Sequence, residues 1–197
     1  MIDRPTIRDF LDQLPYQNYL SNQIKSQLEL HSKVIFLPGK TQLQPIGSTC
    51  KNIYFVFEGS ARIFYLRDGT EITEYFARKG DILIRVESLL RNKSTKKGIE
   101  SISKSVFLEI NAASIFTLFE QDKNLEKWFN TLIQDAFIEN VQRTEHFQIL
   151  SPEERYFQLI QVFPDILNIA PLKYIASYLG ITQVSLSRIR RRIDRHS

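Results

Sequence analysis

Cysteine and histidine are almost missing from this chain of 197 residues, which has one cysteine, Cys50, and three histidines, His31, His146 and His196. A single cysteine excludes an internal disulfide and any zinc or iron–sulfur centre built from a cysteine cluster. With no histidine between positions 31 and 146, the middle of the chain lacks the clustered imidazoles that metal-dependent barrel enzymes use. A haem would have to take its axial ligand from His31 or Cys50, and neither is expected to serve. No serine–histidine–acid set and no phosphate-cradling glycine loop is visible, so neither catalysis nor a cofactor is expected. No hydrophobic run approaches the roughly 20 residues needed to span a bilayer, and Met1-Ile2-Asp3-Arg4-Pro5 lacks the basic-then-apolar layout of a secretory signal. What is present is ordinary for a soluble, cytoplasmic protein of one large or two small domains: 43% apolar, 12% aromatic and 24% charged residues.

Glycine is scarce, but its placement is informative. Six of the seven glycines, at 39, 47, 59, 69, 80 and 98, alternate with short runs rich in β-branched and aromatic residues. Those runs are Lys33–Leu37, Ile53–Phe57, Ala61–Leu66, Glu71–Phe76, Ile82–Val86 and Val106–Ile110. Turn signals at that spacing predict an all-β sandwich or jelly roll. Arg67-Asp68-Gly69-Thr70 predicts a hairpin, because Asp-Gly takes the positive φ of a type I′ turn. Before the strands, Ile7, Phe10, Leu11 and Leu14 have helical spacing.

From Ile99 to Ser151 there is neither glycine nor proline. Within that stretch Leu125, Trp128, Phe129, Leu132, Ile133, Ala136, Phe137 and Val141 recur at three- and four-residue intervals, which predicts a long helix from about Asp122 to Gln148. The stripe is too wide for one sheet face. Part of it should pack on the β domain, and part should meet a second copy, with Leu125, Phe129, Leu132 and Ala136 as the expected seam. Ser151-Pro152-Glu153-Glu154 then reads as a capping box with proline at the first helical position, and the helix it opens should stop before Pro164. The chain is thus expected to be α+β: a jelly-roll β domain over 1–121, a connecting helix over 122–148 and a helical domain over 149–197.

The net charge of +4 is concentrated at one end. Residues 182–197 hold five arginines (Arg188, Arg190, Arg191, Arg192, Arg195) and one acid, Asp194; without them the totals of 26 basic and 22 acidic residues fall to 21 of each sign. A basic cluster at one end of a neutral protein is the electrostatic footprint of nucleic-acid binding or, less often, of an anionic membrane surface, the alternative being a solvated basic tail. The same region contains two short apolar helices. Leu172, Ile175, Ala176 and Leu179 form one face, Gly180 suits the left-handed position past a helix end, and Thr182 can cap a helix whose inner face is Leu186, Ile189 and Ile193. Two helices joined by a three-residue glycine turn make a helix-turn-helix. The face opposite is centred on Val184, Arg188, Arg191 and Arg195, with Ser187 and Gln183 on its flank. A recognition helix reads bases with its N-terminal residues, here Gln183, Val184, Ser187 and Arg188. Arginine suits guanine O6/N7, glutamine suits adenine N6/N7, and valine packs on a thymine methyl. Lys173, Thr182, Arg190, Arg191 and Arg192 are assigned to phosphates.

The segment Leu172-Lys-Tyr-Ile-Ala-Ser-Tyr-Leu-Gly180-Ile-Thr-Gln-Val-Ser-Leu-Ser-Arg-Ile-Arg190 resembles the helix-turn-helix of the Crp/Fnr family of transcription regulators. Ile53-Tyr-Phe-Val-Phe-Glu-Gly59, Arg62-Ile-Phe-Tyr-Leu, Asp68–Phe76 and Lys79-Gly-Asp-Ile-Leu83 resemble the β roll of the family's cyclic-nucleotide-binding-like domain. The resemblance implies a homodimer through the long helix, a two-fold symmetric duplex DNA operator and contact with RNA polymerase. It also exposes a departure. Nucleotide-binding members follow Gly-Asp-Ile-Leu with glycine and glutamate, whereas this chain has Ile84 and Arg85, so cyclic AMP is not expected as effector. Arg85, Glu87 and Arg91 are the residues placed to receive some other, unidentified effector. The competing expectation is a β-roll interaction module whose DNA binding is non-specific or lost; specific duplex binding would decide between them.

Overall fold

The computed structural model describes residues 6–193; Met1–Pro5 and, among the basic residues considered above, Arg195 lie outside them. The chain opens with α1 (Ile7–Leu11), a 3-10 turn (Gln17–Tyr19) and α2 (Asn22–Leu30). Thr6 and Asp9 form a reciprocal capping box on α1, and Ser21 caps α2. Eight strands follow: β1 (Ser32–Leu37), β2 (Gln42–Gln44), β3 (Asn52–Glu58), β4 (Ala61–Arg67), β5 (Thr70–Ala77), β6 (Ile82–Leu83), β7 (Lys97–Ser101) and β8 (Ser105–Asn111), with α3 (Val86–Arg91) between β6 and β7. All the pairings are antiparallel. One sheet runs β1-β8-β3-β6 and the other β2-β7-β4-β5.

The unbroken apolar run Ile53-Tyr-Phe-Val-Phe57 is explained by its strand being covered on both faces. Side chains alternate across a strand. Tyr54 and Val56 point between the sheets to meet Ala61, Ile63, Ile99 and Phe107. Ile53, Phe55 and Phe57 point outward into a second core built with α1, α2 and the helices after β8. The expected hairpin is present between β4 and β5, with Asp68 at φ 51° and Gly69 at φ 75°, both in the region a type I′ turn requires.

After β8 come α4 (Ala112–Leu118) and α5 (Lys123–Ile149), the latter capped by Asp122. Trp128 is fully buried and donates its indole N–H to the Pro15 carbonyl at 2.8 Å. The expected seam on α5 requires correction: Leu125, Phe129 and Leu132 lie buried in the chain's own outer core, and Ala136 is half-buried. Side chains already packed inside one subunit have no surface left for another. The unpartnered apolar residues of α5 lie further along, with Phe137 66%, Ile138 53% and Val141 40% exposed. Two expected features of the roll also differ. The run Ile82–Val86 is a two-residue strand that turns into α3, and Lys97–Ser101, too polar to be read as a strand, is β7.

The helical region contains α6 (Pro152–Val162), α7 (Ile166–Ile169), α8 (Leu172–Tyr178) and α9 (Gln183–Ile193). Ser151 and Glu154 form the expected capping box, with Pro152 at the first helical position. This region has its own core around Tyr156, Ile166, Ile175 and Leu186, which Phe76 of β5 and Ile102 of the β7–β8 turn enter from the β roll.

Candidate nucleic-acid interface

The α8–turn–α9 unit is held by its backbone at the turn. The Gly180 N–H donates to the Ser177 carbonyl at 3.2 Å and the Ile181 N–H to the Ala176 carbonyl at 3.0 Å. Those two bonds are the paired closure of a Schellman motif, which needs a left-handed residue between them; Gly180 supplies it at φ 69°. A side chain there would also press on the Phe147 ring, 3.2 Å from the position a Cβ would take. The Ser185 N–H donates to Thr182 Oγ1 at 3.1 Å, so Thr182 is spent as the cap of α9. Pro171 sits at the N-cap of α8, one position before the first helical residue.

Ile175, Ala176, Leu179, Leu186 and Ile189 are all buried in the helical core. Burial of that face turns the opposite one outward: Gln183, Val184 and Arg188 are exposed, Val184 by 61%, and Ser187 is half-buried beside them. Arg191 is exposed and Arg190 half-buried. Arg192 donates to Glu153 of α6 at 3.0 Å, so its charge is already partnered within the helical region. Lys173 is exposed at the start of α8, its ammonium 5.1 Å from the Tyr174 ring centre. Three of the four residues assigned to bases are thus exposed on one face of α9, with Ser187 half-buried beside them.

The unit is docked on the β roll through a residue the sequence reading did not single out. Arg62 lies in the apolar run Ala61-Arg-Ile-Phe-Tyr65 and is fully buried. Its Nε donates to Glu100 at 2.8 Å, Nη2 to Glu71 at 2.6 Å and Nη1 to Thr73 Oγ1 at 3.2 Å. Its Cζ lies over the ring of Phe64 of its own strand, 4.4 Å from the centre, and over that of Tyr174 of α8, 3.4 Å from the centre. Beside it, the backbone N–H of Thr73 donates to Ser177 Oγ at 3.1 Å, and the Phe76 and Tyr178 rings lie 5.0 Å apart. Arg78 and Arg143 add bonds to the carbonyls of Val162 and Glu74. The signal in the sequence was Arg62 itself: a charge in the middle of a strand is stable only with buried partners.

Among the hollows that adjoin this region, two bear on the expected sites. A cleft of about 1150 Å³ lies between the β4–β5 hairpin and the helix-turn-helix, with Arg67, Gly69 and Thr70 on one side and Lys173, Thr182 and Gln183 on the other. A second cavity of about 540 Å³ lies between the roll and α5. Of the expected effector residues, Arg85 and Glu87 line it. Arg91 does not; it is exposed on α3, 3.7 Å from the Glu87 carboxylate one turn earlier. Arg85 Nε is buried without a hydrogen-bond partner, whereas the neighbouring Ile84 is packed in the outer core. On the opposite wall the Tyr75 hydroxyl bonds Asp81 at 3.2 Å and Glu139 of α5 at 3.1 Å, and burial pushes the Asp81 carboxyl above its usual range. Cys50 is buried, and desolvation pushes its thiol up, away from the reactive thiolate. Among the described residues no group of three or more histidine, cysteine and acidic side chains could hold a metal, and no helix is long and apolar enough to cross a membrane.

No protein-family model and no curated protein matches the sequence. Solved structures do match. A protein from Eubacterium rectale, described as a transcriptional regulator of the Crp/Fnr family, superposes with a TM-score of 0.74 at 19% identity, over 94% of this chain and 88% of its own. FixK2 from Bradyrhizobium japonicum matches with a TM-score of 0.70 at 14% identity, over 84% and 85%. The c-di-GMP-responsive global regulator CLP of Xanthomonas campestris matches at 0.65 and 12%, over 87% and 90%. With β roll, long helix and helix-turn-helix in the same order over most of its length, the chain has the fold of the Crp/Fnr regulators.

Proposed function

We propose that this protein is a DNA-binding transcription regulator that binds a two-fold symmetric operator as a homodimer. The observation that carries the reading is the outer face of α9, where Gln183, Val184 and Arg188 are presented to solvent by a capped, Schellman-closed helix-turn-helix. Gln183, Val184, Ser187 and Arg188 read bases; Lys173, Arg190 and Arg191 hold phosphates, with Thr182 and Arg192 contributing less because each is already engaged. Dimerisation uses the exposed half of α5 around Phe137, Ile138 and Val141, which sets two recognition helices about 34 Å apart in successive major grooves. RNA polymerase is the further partner this reading entails.

Selection from a random duplex pool at one fixed salt concentration tests it. Wild type should enrich a two-fold symmetric consensus, and Arg188→Ala should relax one guanine position at a cost of about 1–3 kcal/mol. Enrichment of no sequence, with binding that vanishes as salt rises, would leave only a non-specific basic surface.

The effector, in this reading, occupies the cavity beside Arg85. Ile84 and Arg85 stand where nucleotide-binding members of the family carry glycine and glutamate, which speaks against cyclic AMP as the ligand. The lining of the cavity sets Arg85, Lys97 and Arg143 beside Glu74, Asp81, Glu87, Asp135 and Glu139, with Ile63, Ile82, Val86 and Leu132 between them, which suits a ligand with an apolar body and a zwitterionic or mixed polar head. A thermal-shift screen of aromatic and aliphatic amino acids, carboxylates and amines should find compounds that stabilise wild type. At 100 times the dissociation constant the gain is about 2.7 kcal/mol. Arg85→Ala should abolish that gain, and equal stabilisation of both proteins would place the ligand elsewhere.

A further inference from the structure

We infer that the β4–β5 hairpin of the roll is a second DNA-contacting element, in which Arg67 holds the sugar–phosphate backbone that runs beside the seated recognition helix. This rests on the DNA-binding reading above and extends its footprint from the helical region to the β roll. The cleft between the hairpin and the helix-turn-helix carries the inference. Arg67, Gly69 and Thr70 line it on one side, and Lys173, Thr182 and Gln183 on the other. Its volume of about 1150 Å³ exceeds the roughly 300–1,000 Å³ of small-molecule pockets and suits a polymer that passes through.

Seating α9 in a duplex brings a phosphate strand to this cleft. An α-helix with its side chains is about 10–12 Å across and the major groove is about 12 Å wide. The helix therefore fills the groove, and whatever stands beside its first residues meets backbone rather than base edges. Gln183 is the first residue of α9 and Thr182 its cap. Both line the cleft, with Arg67 across from them.

The free charge of the cleft is positive. Glu71 and Glu74 belong to its lining, but Glu71 is bound to Arg62 and Glu74 to Lys97, each at 2.6 Å. Arg143 is spent on the Glu74 carbonyl. Among the described residues no carboxylate pairs with Arg67 or Lys173. Asp68 is exposed at the hairpin tip and is not part of the lining. Two unpaired cations on opposite sides of one cleft are thus left for an anionic backbone.

The hairpin is also fixed before DNA arrives. Asp68 and Gly69 close its turn in the left-handed region, Phe76 of β5 is buried in the helical core, and the Thr73 N–H donates to Ser177 of α8. Hairpin and helix-turn-helix form one preorganised surface, so the added contact costs little ordering entropy.

The test is the salt dependence with which the full chain binds the selected operator. Each phosphate contact adds about 0.9 to the slope of log affinity against log salt. Arg67→Ala removes one contact in each half-site, so the slope should fall by about 1.8. Binding at about 0.1 M salt should weaken at least about fivefold, with the consensus unchanged, because phosphate contacts carry no sequence information. Arg67→Lys should keep the slope. Lys93→Ala, which removes an exposed charge from the loop between α3 and β7, should leave it unchanged. A single uncharged methylphosphonate, walked along the backbone flanking each half-site, should weaken wild type at one position where R67A is indifferent. An unchanged slope for R67A, an equal fall for K93A, or the same methylphosphonate profile for wild type and R67A overturns the hairpin contact and leaves the DNA-binding reading intact. No binding of any duplex by wild type, even at low salt, overturns both.

Discussion

Arg62→Ala should lower the stability of the chain by about 3–5 kcal/mol, the cost of removing one partner from a buried ion cluster. The size follows from what is left behind. Glu100 has a side chain only 10% exposed and would keep a charge with no cation beside it, and Thr73 would lose an acceptor role in an enclosed site. Against a typical total of about 5–15 kcal/mol such a loss brings the protein near its unfolding threshold. Glu71, 39% exposed, can return to water, so Glu71→Gln should cost much less. The double variant R62M/E100M removes both buried charges and should recover most of the loss, because apolar residues of similar volume replace buried ion pairs at little or no cost. Urea denaturation of wild type and the three variants checks this. A loss below about 1 kcal/mol for Arg62→Ala, the scale of an exposed pair, would mean that water already shares the site.

The second large effect is expected on α5. Phe137→Asp with Val141→Asp should convert a dimer into a monomer in sedimentation at micromolar concentration and weaken operator binding by roughly 10²–10⁴-fold, the range that linking two binding modules contributes. The fold should survive, because both side chains already face solvent within one chain, 66% and 40% exposed. Phe129, like Leu125 and Leu132, belongs instead to the monomer's core; charge placed at any of these three should unfold the chain rather than divide a dimer. Unchanged sedimentation with both aspartates present would remove the seam from the exposed face.

These two expectations mark the boundary of what the sequence displays. Local signals were legible where one residue type has one structural use. Asp68-Gly69 turns, Ser151-Pro152-Glu153-Glu154 caps, and Gly180 closes α8. The strands with apolar alternation or apolar runs were visible for the same reason. Illegible were the elements whose polar residues are satisfied by distant partners. β7 reads Lys-Gly-Ile-Glu-Ser, and its Lys97 and Glu100 are accounted for only by Glu74 and Arg62 on other strands. Three residues expected at a seam, Leu125, Phe129 and Leu132, are core residues instead, because the three- and four-residue periodicity runs through both halves of α5. A periodicity states that a face is apolar, not which neighbour covers it.

The position of β5 at the end of its sheet carries a last consequence. A terminal strand presents unpaired backbone groups that invite another chain to add to it, and here the guards are Ser177 on the Thr73 N–H and Arg143 on the Glu74 carbonyl. Loss of the Ser177 hydroxyl would remove the first of them from a strand of eight residues. Solubility of the chain would then depend on how firmly Ser177 and Arg143 stay in place along β5.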